Sequence, residues 1–192
     1  MLSLPDLKYL PYKKGRLAYR ETGIGPTLFL LHGMNGSSQS WAYLFESLAT
    51  SFHIVAWDAP SFGGSDIFGD NIEDFKSAAI ALMDTLELQK PIVIGHSMGG
   101  VIALPLAADP DTSIVGLVLS STHLGFAHTK GAELMPRYAD RIEHMNSKGI
   151  DINYGQERAK RSTPPATSET VIQFLAEIAA GFFYASFVVS DQ

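Results

Sequence analysis

Short apolar runs alternate along this chain with stretches of helical periodicity, and few folds accept that rhythm. Residues 27–31, 52–57, 91–95 and 114–120 are such runs, rich in Leu, Ile and Val, and residues 15–21 form an earlier one. Runs apolar on both sides suit strands buried on both faces, as in parallel sheets. Between them, residues 41–49 carry apolar side chains at 41, 44, 45 and 48, and residues 72–86 repeat the spacing through Phe75, Ala79, Leu82, Met83 and Leu86. That is one face of a helix. Strand and helix in alternation predict an α/β fold, a mostly parallel doubly wound sheet with right-handed crossovers and helices on both faces. Sites in such sheets form beyond the carboxyl ends of the strands, where Met34, Asp58 and Ser97 fall.

The run ending at Ile94 passes directly into Gly95-His96-Ser97-Met98-Gly99, and a helical pattern follows through Val101, Ile102, Leu104 and Ala108 to Asp109-Pro110. A serine thrust out at a strand-to-helix turn needs a strained backbone with its neighbours pressed close, and glycines two before and two after leave that room. Chance supplies the spacing in roughly one chain in seven of this composition. The alternative is a serine capping the helix beside packing glycines. Position favours a nucleophile elbow with Ser97 as the nucleophile. Pro105, inside the same helical pattern, is expected to kink it.

The run at 27–31 leads into His32-Gly33-Met34-Asn35-Gly36, and the run at 52–57 into Asp58-Ala59-Pro60-Ser61-Phe62-Gly63-Gly64-Ser65. Glycines after a strand let backbone N–H groups turn toward a pocket, and two such donors stabilise the oxyanion formed in acyl transfer. The N–H groups of Met34 and Met98 are the expected pair. With these three segments in this order, residues 15–125 resemble the α/β-hydrolase superfamily, in its serine-nucleophile branch of esterases, lactonases and carbon–carbon hydrolases. The dehalogenase and epoxide hydrolase branches place an aspartate where this chain has Ser97. The resemblance implies packed, hydrogen-bonded roles for His32 and His96, and structural roles for Gly33, Gly95 and Gly99.

Residues 1–124 are expected to form the core and residues 125–192 a helical cap, with patterns at 136–145 (Tyr138, Ile142, Met145), at 170–180 (Val171, Phe174, Leu175, Ile178) and at 182–189. The resemblance implies that such a cap closes the pocket and selects the substrate. A formal charge of −6 without basic clusters argues against nucleic acid or an anionic membrane as partner. Zero cysteines exclude disulfides and thiolate metal sites, and fit the reducing environment of a cytoplasmic protein. No apolar run reaches the roughly 18 residues of a membrane-spanning helix, and residues 1–20 have no secretory apolar core.

The expected activity is hydrolysis of a small-molecule carboxylic ester, lactone or similar activated carbonyl through an acyl-Ser97 intermediate, without metal or organic cofactor. Cleavage of a carbon–carbon bond in a ring-fission diketone is an alternative at the same site, and a non-catalytic small-molecule receptor is another. A serine of this kind needs a histidine to take its proton and a carboxylate to orient that histidine. The resemblance implies the order Ser, acid, His, each after a later strand. Among the six histidines, His123 follows the carboxyl end of the run at 114–120 and is the best-placed substitute; His128 and His144 lie in the cap. Asp58 is expected to tie down its own loop. No acid is identified. The sequence is therefore expected to be the amino-terminal part of a longer hydrolase, with residues 114–120 left as an apolar edge strand prone to association.

Overall fold

The computed structural model describes residues 3–69, 71–123 and 136–181. Six strands form one sheet: β1 (Lys8–Tyr12), β2 (Gly15–Thr22), β3 (Thr27–Leu31), β4 (His53–Asp58), β5 (Ile92–His96) and β6 (Gly116–Ser120), in the spatial order β1-β2-β4-β3-β5-β6. β1 and β2 form an antiparallel hairpin, and β2 runs antiparallel to β4. From β4 through β3 and β5 to β6 every pairing is parallel. The expected α/β architecture is the observed one.

Side-chain alternation divides the core into two layers. Phe29, Leu31, Val55, Trp57 and Val93 face one side, where they pack with Phe75, Ala79 and Leu82 of α2 (Ile72–Thr85) and Ile102 and Leu106 of α3 (Met98–Ala108). Leu28, Leu30, Ile54 and Ala56 face the other, where they meet Phe45 of α1 (Ala42–Leu48). Trp57, Phe29, Leu31 and Ile54 are fully buried, so strand residues are apolar on both faces because both faces are covered. Local chemistry starts the helices. The Asn71 side chain accepts the Asp74 N–H at 3.0 Å, with Glu73 and Asp74 in the first turn of α2. α3 continues through Pro105 to Ala108, where the Thr112 hydroxyl donates to the Leu106 carbonyl at 2.8 Å.

Three further helices, α4 (Pro136–Lys148), α5 (Ile152–Ser162) and α6 (Glu169–Ala180), follow the sheet. α5 and α6 lie so close that a Cβ on Gly155 would overlap the Ala176 carbonyl oxygen. Ala159, Ile172 and Ala176 form the small core of that pair, while Met145 of α4 and Tyr154 of α5 join the main core. The expected helical segment at 182–189, and residues 125–135 of the expected cap, lie outside the described residues.

Two elements escape the sequence patterns. β1 is obscured by Pro11, which sits opposite Arg16 on an edge strand, where a missing N–H costs no ladder bond. α5 has no apolar stripe, because its buried face is made of Tyr154, Gly155 and Ala159. β6 begins at Gly116 rather than 114 and is an edge of the sheet among the described residues. Leu117, Val118 and Leu119 are 37%, 47% and 41% exposed.

Candidate active site

Ser97 joins β5 to α3 with φ +51° and ψ −114°, a positive-φ conformation that an L-residue adopts only at a cost of about 1–3 kcal/mol. Its side chain makes no capping hydrogen bond to α3, so the hydroxyl is not used in starting the helix. Surrounding backbone holds the turn closed. The Ser97 N–H donates to the Ser120 carbonyl at 2.9 Å, and the Gly100 N–H donates to the Ser97 carbonyl at 3.0 Å. The Thr122 hydroxyl donates to the same Ser97 carbonyl at 2.8 Å. A Cβ on Gly95 would come within 2.6 Å of Gly100 Cα, and one on Gly99 would overlap the Leu31 carbonyl oxygen. Both glycines flanking Ser97 are therefore required sterically, as the spacing predicts.

The loop after β3 crosses directly over this turn. A Cβ on Gly33 would sit 3.1 Å from Ser97 Cβ and 2.7 Å from His96 Nδ1. The Gly36 N–H donates to the Gly33 carbonyl at 2.9 Å, with Asn35 at φ +61°, forming a tight turn around Met34. No turn or cap hydrogen bond among the described residues uses the N–H of Met34 or Met98.

Two side chains fix the loop from beneath. His32 is buried; its Nε2 accepts the Ala59 N–H at 3.0 Å, so Nδ1 carries the proton and donates to the Gly33 carbonyl at 2.8 Å. Asp58, also buried, accepts the Ser38 N–H on Oδ1 at 2.6 Å and the Gly64 N–H on Oδ2 at 2.8 Å. Asp58 thus ties its own loop to the 3₁₀ turn Ser38–Trp41, which the Ser37 side chain caps.

Burial holds the His32 imidazole below its ordinary pKa of 6.5. Below pH 6.5 the unfolded chain binds a proton that the folded chain refuses, so stability is full above that pH and falls as the pH drops. The expected slope is about 1.4 kcal/mol per pH unit for one such group. His96, exposed on one side but partly desolvated against the Gly33 loop, is lowered too and adds in the same direction. Urea unfolding between pH 7.5 and 5 reads this slope, and His32→Gln should flatten it; an unchanged slope in the variant would contradict the assignment.

His96 is the last residue of β5, and its ring stands exposed over Gly33, which has no side chain to cover it. His123 is exposed one residue beyond Thr122, on the elbow's side of the sheet. His144 lies on α4 with its ring 5.6 Å from that of Tyr154, and His128 lies outside the described residues. His53 starts β4, at the opposite end of the sheet, paired with Glu21.

Above the loop lies a cavity of about 390 Å³, walled by His96, Met34 and Trp41 below and by Arg158, Leu175 and Ala179 from α5 and α6. The helices touch the loop through polar contacts that sequence reasoning does not find: Tyr154 Oη donates to Asn35 Oδ1 at 3.3 Å, and an Arg141 Nη donates to Met34 Sδ at 2.9 Å. Thr122 is missed as well. No group of three metal-ligating side chains occurs among the described residues, and none of their helices is long and apolar enough to cross a membrane.

A family model for the alpha/beta hydrolase fold matches residues 26–142. The chain belongs to the α/β-hydrolase fold family. This α/β hydrolase is 33% identical over 98 residues to an (E)-2-((N-methylformamido)methylene)succinate hydrolase from Acinetobacter baylyi, a match covering 50% of this chain and 37% of that protein. Among solved structures it is similar to a bromoperoxidase from Bacillus anthracis (TM-score 0.77, 23% identity, covering 92% of this chain and 69% of the other). An esterase from Exiguobacterium antarcticum superposes with a TM-score of 0.75 at 18% identity, covering 93% and 70%. The α/β hydrolase spans about a third of the length of the curated relatives it matches.

Proposed function

We propose that Ser97 is the nucleophile of a hydrolase acting on a small-molecule carboxylic ester, lactone or similarly activated carbonyl, with the N–H groups of Met34 and Met98 as its oxyanion hole. The reading rests above all on one observation: a serine held at φ +51° at a strand-to-helix junction, with its side chain not spent on capping. Strain of this kind persists where the surrounding structure over-determines it. The hydrolase and esterase names among similar proteins support the same chemistry.

In this reading the Ser97 oxygen attacks the carbonyl carbon and the carbonyl oxygen becomes the anion between the two N–H groups. The alcohol then leaves with a proton, and water later removes the acyl group as an acid. Each N–H in such a hole contributes about 2.7–4 kcal/mol to the transition state. No metal or organic cofactor enters these steps. The helices α4 to α6 serve as the cap over the pocket, through the contacts of Tyr154 and Arg141 with the loop.

A p-nitrophenyl acetate assay tests the assignment. The native chain should release nitrophenol about tenfold faster or more than Ser97→Ala, and intact-mass spectrometry should find one acyl group on the peptide containing Ser97. Equal rates and no adduct would sink the nucleophile and leave a binding protein of the same fold.

A further inference from the structure

We propose that Arg158, backed by Arg141, forms a carboxylate subsite in the cavity above the Gly33–Asn35 loop and His96, next to the turn that carries Ser97, so that the substrate is a carbonyl compound carrying a carboxylate of its own. The inference rests on the reading of Ser97 as the reacting residue, and it names the class of molecule brought there.

The face of α5 explains why Arg158 points inward. Asp151 caps the helix by accepting the Tyr154 N–H at 2.9 Å, and Tyr154, Gly155 and Ala159 then form its buried side. Arg158 is four residues after Tyr154 and beside Ala159, so it shares that side and reaches the cavity wall. Arg161, on the outer side, pairs with Glu157 one turn earlier. Neither Arg158 nor Arg141 has a carboxylate within ion-pair distance among the described residues.

Unmet hydrogen bonding points the same way. Nε of Arg158, Nε of Arg141 and Nε1 of Trp41 are buried donors without a partner among the described residues. Trp41 and Arg158 line the same cavity, and Arg141 reaches the Met34 side chain at its floor. All three are donors only. Although the chain carries 20 acidic residues against 14 basic ones, no acidic residue lines the cavity among the described residues. Three of its polar side chains are already engaged: the Asn35 oxygen accepts from Tyr154, Ser40 accepts from the Ser37 N–H and Ser162 donates to the Arg158 carbonyl. Burial and the neighbouring Arg141 charge both disfavour the Arg158 cation as it stands. A guanidinium left without counter-ion at a half-buried site gains most from a planar carboxylate, which it can hold through two parallel hydrogen bonds. Around this charge the walls are apolar, with Leu175, Ala159 and Ala179. A short aliphatic chain therefore fits between the carboxylate and the reacting carbonyl.

Binding can be read without turnover, because Trp41 lines the cavity while the only other tryptophan, Trp57, is sealed in the core. Tryptophan fluorescence titrations with monomethyl glutarate, which has one carboxylate and one ester, and with uncharged dimethyl glutarate, at fixed ionic strength, make the comparison. The charged ester should bind about tenfold to a hundredfold more tightly. Arg158→Gln should remove that preference while leaving the weak binding of the dimethyl ester, Arg158→Lys should retain part of it, and Ser97→Ala should not change it. Loss of the ester assay with the preference intact would fail the nucleophile alone. Equal affinity for the two esters in the native chain, no saturable response to the charged one, or an Arg158→Gln protein that keeps the preference would overturn the subsite. Tighter binding of methyl phosphate than of monomethyl glutarate would overturn its assignment to a carboxylate.

Discussion

Gly99→Ala is expected to cost about 3 kcal/mol or more of folding stability, a large share of what a domain of this size has in total. Gly99 is the first glycine of α3 and lies against the backbone of β3, where an added methyl group would overlap the Leu31 carbonyl oxygen and press on the His32 carbonyl at 2.7 Å. Leu31 ends the central strand β3 in register with Gly95 of β5, and His32 opens the loop that its own side chain ties to Ala59 and Gly33, so neither carbonyl can move aside without disturbing these contacts. Gly116→Ala is the matched control. Its Cβ would meet only the Ile92 side chain, at 3.3 Å, on the edge strand β6. Urea unfolding of the two variants should separate them clearly; comparable midpoints would show that α3 and β3 can move apart to admit a methyl group.

Asp58→Ala should be nearly as damaging, with about 2–5 kcal/mol lost. The carboxylate is 2% exposed and accepts two backbone N–H groups, one from Ser38 and one from Gly64. Removing it leaves the buried Ser38 N–H and the part-buried Gly64 N–H without this acceptor, which costs more than the hydrogen bonds themselves were worth. Asp58→Asn keeps one acceptor and should fall between the native chain and Asp58→Ala in thermal unfolding. The Ser65 hydroxyl, which donates to the Asp58 main-chain carbonyl at 2.6 Å and accepts the Ala18 N–H at 2.8 Å, remains in every variant. An Asp58→Ala protein as stable as the native one would contradict the bracing role.

The parts of this molecule that could be read from sequence are those governed by period and spacing. β3, β4 and β5 appear as continuous apolar runs because both their faces are covered, and Gly95 and Gly99 are legible because backbone atoms crowd them. α2 and α6 repeat apolar residues at the helical interval. Hidden are the features that depend on a partner distant in the chain. His32 reaches Ala59, Thr122 reaches Ser97, and Tyr154 reaches Asn35 across 119 positions; no local pattern announces any of these. Arg158 reads in sequence as another surface cation in a charged helix. Only the packing of α5 on α6 separates it from Arg161.

The turn at Ser97 also has a consequence for the order in which the molecule can form. Its unfavourable dihedral angles are secured by the Ser120 carbonyl, the Thr122 hydroxyl and the close approach of Gly99 to Leu31, so three strands from distant parts of the chain must be present together. A chain leaving the ribosome cannot lock this residue until position 122 has emerged, and up to then Ser97 is an ordinary serine in relaxed backbone. Its strained geometry is therefore a late event of folding, and one that reports that the centre of the sheet has closed.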